Sequence, residues 1–191
     1  MNLLLGVTGS IAAYKAAELV RRFRIRDWDV KVVMTRAATK FVGEWTFKSL
    51  SRNPVYVEMF PEDGDWRPDH IALGEWPDVF LIAPCTANVI AKLAHGLADD
   101  LLSCTALAMQ APVVIAPAMN DRMWSHPATQ ANVALLKSRG VFFVDVGTGD
   151  LACGYQAQGR LADLDVIEAM VVEVAAGESQ QPIRQQAKAD R

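Results

Sequence analysis

The chain has no excess of positive charge: 19 lysines and arginines stand against 22 aspartates and glutamates, a formal net charge of -3. Such a balance gives no field to hold a nucleic-acid backbone or an anionic membrane, so neither partner is expected. The one dense basic run, Arg21-Arg22-Phe23-Arg24-Ile25-Arg26, alternates with apolar residues and reads as a solvated helix terminus whose cations offset the helix dipole. Paired cysteines are missing too. Cys85, Cys104 and Cys153 form no CxxC unit, which excludes a disulfide framework or zinc ribbon and points to a reducing, cytoplasmic compartment. With no HxH or HExxH spacing either, no metal is expected. The apolar start Met1–Val7 lacks a basic flank and runs into Thr8-Gly9-Ser10. It is too short for a signal peptide or a membrane span and reads as a buried first strand.

What is present is apolar mass, 51% of 191 residues, enough for one well-filled core and one domain. Short β-branched runs at Leu3–Val7, Val30–Met34, Val79–Ala83, Val113–Ala116 and Val141–Val144 each fit a strand buried on both faces. Helix-period stretches lie between and after them, at Ile11–Arg24, Asn88–His95, Leu101–Met109, Ala128–Arg139 and Val166–Val174. The alternation predicts a single Rossmann-like or flavodoxin-like α/β domain, a parallel sheet flanked by helices, over residues 1–175. Residues 176–191, polar and charged, are expected to be a disordered tail or linker. Thr46–Pro77 carries four prolines and an acidic cluster without sustained periodicity, and reads as a long, partly irregular connection of the kind that is often functional.

Chemistry-bearing residues gather where strands are expected to end. Gly6-Val7-Thr8-Gly9-Ser10, opening onto Ile11-Ala12-Ala13, is a strand-to-helix turn of small residues. Its glycine lets backbone approach a phosphate, and Thr8 or Ser10 can add a hydroxyl. Ser10 as an ordinary N-cap explains the turn equally well. Thr35 follows the second strand, and Pro84-Cys85-Thr86-Ala87-Asn88 follows the third long one. Thr86 and Asn88 taken alone read as helix caps, but three such loops on one sheet edge fit a nucleotide-like phosphate and ring pocket better. Asn120, in Pro117-Ala118-Met119-Asn120, is suited to orienting a carboxylate or amide, and Met119 to packing on a flat ring.

The glycine-rich stretch Gly147–Arg160 has the makings of a mobile lid. Cys153 within it, flanked by Ala152 and Gly154, can be carried onto a substrate as a proton donor, whereas Cys85 and Cys104 read as small buried hydrophobes. Of three histidines, His95 ends a helix as a dipole partner and His126 precedes Pro127 as a structural or surface residue. His70 is the remaining candidate for a base.

Five of these segments, in this order, resemble the homo-oligomeric flavin-containing cysteine decarboxylases: Gly6–Lys15, His70-Ile71-Ala72-Leu73, Ala83–Asn88, Pro117–Asn120 with Met123-Trp124, and Ala152-Cys153-Gly154 leading to Gly159-Arg160. The likeness spans residues 1–175. It implies FMN, with its phosphate on Gly9, Ser10 and Ile11 aided by Thr35, and its ring against Pro84, Cys85, Thr86, Ala87, Asn88, Ala118 and Met119. It also implies His70 as the base, Asn120 on the substrate carboxylate, Cys153 returning a proton, and Ala152, Gly154 and Arg160 around the substrate. The implied assembly is a homotrimer or dodecamer of trimers with the flavin between subunits and the base supplied by the neighbour. Bacterial members are commonly fused to a ligase domain that makes the substrate. Two departures are Leu161 where the family carries methionine, a volume-conserving change, and the Trp/Pro-rich loop before His70.

The activity implied is decarboxylation of phosphopantothenoylcysteine to phosphopantetheine in coenzyme A synthesis. Loss of carbon dioxide from a cysteine carboxylate leaves a carbanion with no sink. Prior oxidation of the carbon bearing sulfur to a thioaldehyde supplies one, and the hydride is later returned. A peptidyl-cysteine decarboxylase stops at the enethiol, and the Cys153 lid favours the reductive course. A non-catalytic flavin-binding subunit or a flavin prenyltransferase relative is opposed by the joint presence of His70, Asn120 and Cys153.

Overall fold

The computed structural model describes residues 1–60, 68–150 and 156–177. Six parallel strands, β1 (Asn2–Val7), β2 (Asp29–Met34), β3 (Val55–Tyr56), β4 (Val79–Cys85), β5 (Val113–Pro117) and β6 (Phe142–Phe143), form one sheet in the order β3-β2-β1-β4-β5-β6. Strand order therefore reverses between β1 and β4, the switch point at whose carboxyl edge open α/β sheets bind ligands. A separate antiparallel pair, β7 (Gly147–Asp150) and β8 (Gln156–Arg160), lies in the stretch read as a lid. The segment between them, with Ala152, Cys153 and Gly154, falls outside the described residues, as does 178–191.

Alternation along the central strands splits the core into two layers. Leu3, Leu5 and Val7 face one side with α1 (Ala13–Ile25), α2 (Glu44–Ser51) and α8 (Leu164–Ala175), through Leu19, Phe47, Ile167 and Val171. Leu4, Phe80 and Ile82 face the other with α3 (Asp69–Glu75), α4 (Ala87–His95), α5 (Leu101–Ala108) and α7 (Pro127–Ser138), through Leu73, Ile90, Leu102 and Leu136. These wholly buried apolar strands need helices on both faces, and the β-α alternation supplies them. Among the described residues no helix is long and apolar enough to cross a membrane.

Three expectations change. Thr46–Pro77, read as partly irregular, is mostly ordered among its described residues: it takes in most of α2, all of β3 and all of α3. Those elements are short, and α3 is closed off by Pro68 and Pro77, so none is long enough to establish a period. Helix α1 starts at Ala13 rather than Ile11, because Ser10 accepts from Ala13 N–H and closes a turn first. The basic run does end α1, but Arg22 and Arg26 pair with Glu168 on α8 and Arg24 with Asp29, so it ties elements together instead of only facing water.

Candidate functional site

At the switch point the exits of β1 and β4 are joined by Thr8. Its buried hydroxyl donates to Pro84 O at 2.7 Å and accepts from Thr86 N–H at 3.0 Å. The hydroxyl is thus spent on the fold, and the reading of Thr8 as a ligand donor is corrected. Gly9 follows, and a Cβ there would stand 2.6 Å from Ala37 Cβ, so only a glycine lets the exits of β1 and β2 meet this closely. Thr35 Oγ1 accepts from Ala38 N–H at 3.3 Å and bends the β2 exit back toward that turn. The backbone N–H groups of Gly9, Ile11, Arg36 and Ala37 have no partner among the described residues. Those of Gly9, Arg36 and Ala37 lie in neighbouring turns that line one cleft, and unpaired N–H groups so placed can serve as an anion cradle. Ser10 is not the N-cap of α1; its Oγ accepts from Ala12 N–H at 3.3 Å within the preceding turn.

The β4 exit carries Pro84 after a cis bond, then Cys85, which is fully buried. Burial pushes the Cys85 thiol far above its ordinary range, leaving it an inert apolar side chain. Its backbone carbonyl accepts from Ala118 N–H at 3.0 Å, so Cys85 and Ala118 meet behind the surface. Thr86 is the N-cap of α4, accepting from Val89 N–H, while Ala87 is half-buried and Asn88 is exposed.

At the β5 exit, Met119 packs at the edge of the core and donates its N–H to Gly159 O at 2.9 Å. Asn120 N-caps α6 (Asp121–Ser125), its Oδ1 accepting from Arg122 N–H at 3.0 Å. With the oxygen turned into the helix, the amide nitrogen is the end suited to a carboxylate. Gly159, at φ 122°, lies so close that a Cβ would stand 2.4 Å from Met119 O. Arg160, next along β8, is 3.8 Å from Asp163. Partial burial and the nearby Arg160 charge together lower the Lys15 ammonium, against a smaller opposing pull from Asp163.

The exits of β1, β2 and β4 bound an open cleft of about 790 Å³ at the carboxyl edge of the sheet, within the range of small-molecule sites, and Ser10, Ile11, Met119, Asn120 and Arg160 are not among the residues that line it. Gly9, Thr35, Thr86 and Asn88 line it together with Val57, Met59, Phe60, Val89 and Met123. The chain does not bring His70 to this lining: it sits half-buried in the first turn of α3. His95 Nε2 contacts Asn132 Oδ1 at 3.1 Å and His126 Nδ1 accepts from Ala128 N–H at 3.2 Å, both at the surface. Sequence reasoning missed the charged lining residues. Arg36 holds Glu58 in a two-pronged pair, Nε to Oε1 at 3.0 Å, which raises Arg36 and lowers Glu58 from their ordinary pKa ranges. On the facing wall, Lys92 Nζ lies 2.6 Å from both Asp99 and Asp100. Asp100 also caps α5 in a box with Ser103, and the run Asp100-Leu101-Leu102-Ser103 was a readable trace of that cap. Among the described residues no cluster could hold a metal ion.

The Flavoprotein family matches residues 1–176. A probable phosphopantothenoylcysteine decarboxylase of Streptococcus mutans is 46% identical over 168 residues, 87% of this chain and 94% of that protein. The coenzyme A biosynthesis bifunctional protein of Bacillus subtilis is 44% identical over 182 residues, 95% of this chain. The alignment covers only 45% of that longer protein, so the chain spans under half of its bifunctional relative. Among solved structures, the FMN-dependent cysteine decarboxylase SpaF superposes with a TM-score of 0.79 at 34% identity, over 92% of this chain and 97% of SpaF.

Proposed function

The chain belongs to the Flavoprotein family, and on that premise we propose that it binds FMN in the switch-point cleft and decarboxylates phosphopantothenoylcysteine to phosphopantetheine. The observation that carries this is the cradle of unpaired N–H groups at Gly9, Arg36 and Ala37 opening into the same cleft as apolar Val89, Met59 and Met123. Donors without protons to lose suit a phosphate, and an apolar wall beyond them suits a flat ring. When bound, FMN supplies reversible two-electron acceptance, which a cysteine carboxylate needs before it can lose carbon dioxide.

The protein's own groups bind, orient and move protons. The Asn120 amide nitrogen orients the departing carboxylate, and α6, which Asn120 caps, holds that residue in place. His70 takes a proton at the start of the reaction. Its place on α3, away from the cleft of its own chain, suits delivery to a neighbouring subunit in a homotrimer. Cys153, outside the described residues, returns a proton to the enethiolate from the segment joining β7 and β8. The setting is the cytoplasm, where the thiol stays reduced.

The test is to purify the protein, record its absorbance, and incubate it with phosphopantothenoylcysteine under mass detection. A yellow protein that converts the substrate with loss of carbon dioxide, and a His70→Asn variant that keeps FMN while turnover falls about 10²–10⁴-fold, support the assignment. A colourless protein that cannot be reconstituted with FMN overturns it.

A further inference from the structure

Five charged side chains line the cleft among the described residues: the cations Arg36 and Lys92 and the carboxylates Glu58, Asp99 and Asp100. With one carboxylate in excess, these side chains add no net positive charge to the N–H groups of the cradle, and a phosphomonoester dianion gains a cation only if one changes partners. The two cations differ in their ability to do so. Lys92 is held by two carboxylates at 2.6 Å with its side chain only 15% exposed, and one of those carboxylates also caps α5. Among the described residues the Arg36 side chain has a single partner, Glu58, and it is 82% exposed. The Arg36 backbone N–H belongs to the cradle beside Gly9, and its planar fork matches phosphate as well as it matches carboxylate.

We propose that Arg36 is an exchangeable phosphate ligand, stored on Glu58 across the β2 and β3 exits and transferred to a phosphomonoester that enters the cradle. Glu58 is then the competitor that sets how tightly the phosphate is held. Exposed ion pairs shift an equilibrium by no more than about two- to five-fold, whereas a charge-assisted bond to phosphate shifts it by about tenfold or more. The exchange therefore runs toward the ligand. The phosphate can belong to the cofactor or to the substrate, and the inference rests on the FMN-dependent function proposed above.

The test is FMN release from the loaded full-length protein, followed by recovery of flavin fluorescence on dilution, with riboflavin as the probe lacking phosphate. Arg36→Gln is expected to speed FMN release about tenfold and leave riboflavin release unchanged. Arg36→Lys should fall between, as a charge without the fork. Glu58→Gln should slow FMN release about two- to five-fold, and only while Arg36 is present. If FMN release is unchanged in Arg36→Gln but KM rises for phosphopantothenoylcysteine and not for pantothenoylcysteine, the exchange holds and the phosphate is the substrate's. Unchanged values in both arms overturn the exchange. So does a Glu58→Gln effect that persists in the Arg36→Gln background, since plain repulsion would then explain it. A wild-type protein that holds no FMN overturns the proposed function; one that holds it with all variants alike overturns only the role of Arg36.

Discussion

The exits of β1, β2 and β4 are bound to one another, whereas the exit of β5, joined to β4 through Ala118, is also held by a hairpin arriving from later in the chain. On the first side Thr8 joins Pro84 to Thr86 and Gly9 abuts Ala37, all contributed by loops that follow directly from core strands. On the second, the backbone bond from Met119 to Gly159 brings β8 against the Met119-Asn120 turn. The half proposed to hold phosphate inherits the rigidity of the sheet; the Met119-Asn120 turn is held by the docking of β8. A site divided in this way can hold a cofactor continuously while its substrate side moves, and substitutions in the two halves should have different consequences.

The largest effect is expected from Gly159→Ala. The new Cβ would stand 2.4 Å from the Met119 carbonyl oxygen at a φ of 122°, so either β8 or the Met119-Asn120 turn must move by about an ångström. Displacement of that size at reacting groups lowers turnover by about 10²-fold. FMN retention should fall less than turnover, because Gly9, Thr35 and Thr86 line the other half and only Met123, on α6, follows the displaced turn. Turnover and flavin content measured on the same preparation check this, and an equal loss of both would dissolve the division into halves.

The same contrast decides how much could be read from the sequence. The central strands were legible because each is a β-branched run buried on both faces, and α4, α5 and α7 because their apolar spacing persists for two turns or more. The pair β7 and β8 was read as a lid because Gly147-Thr148-Gly149-Asp150 and Gln156–Arg160 have neither alternation nor strand formers. Their pairing is supported by docking on Met119, which leaves no periodic trace. Strand β3 is two residues long. For the site, Gly9, Thr35, Thr86 and Asn88 were legible as small polar residues at strand exits. The Arg36–Glu58 pair was not: its members are 22 residues apart, joined only once β2 and β3 lie side by side.

A smaller effect, on stability, is expected from Thr8→Val. Valine keeps the shape, and Pro84 O keeps the Thr8 N–H at 3.3 Å, but Thr86 N–H loses the buried hydroxyl that accepts from it. An unsatisfied buried group costs about 1–3 kcal/mol, so the melting temperature should fall by roughly 3–10 °C for a chain of this size. Thr8→Ser, which retains the hydroxyl, should recover most of the loss. If Thr8→Val melts with wild type, the β1 and β4 exits are held by strand pairing alone, and the phosphate half is no more tightly built than the hairpin half.

The smallest effect is acid-dependent and separates the cleft walls from the sheet beneath. The hydrogen bond from Arg36 lowers Glu58, aided by Arg36's charge, and the hydrogen bond from Lys92 does the same for Asp99. A carboxylate held lower in the folded state than in the unfolded one stabilises the fold fully above its unfolded pKa, and that contribution is lost as pH falls through the folded value. With unfolded values near 4, the two pairs contribute fully at pH 7, begin to fade below about pH 5, and are lost as pH falls through the lowered folded values. Both carboxylates are exposed, so the expected difference between wild type and Glu58→Gln/Asp99→Asn is about a degree or two in melting temperature at pH 7. That difference should narrow steadily between pH 5 and pH 3. A difference that is constant with pH would mean that the substitutions act through packing or backbone, and that the charged walls contribute nothing to the fold that carries them.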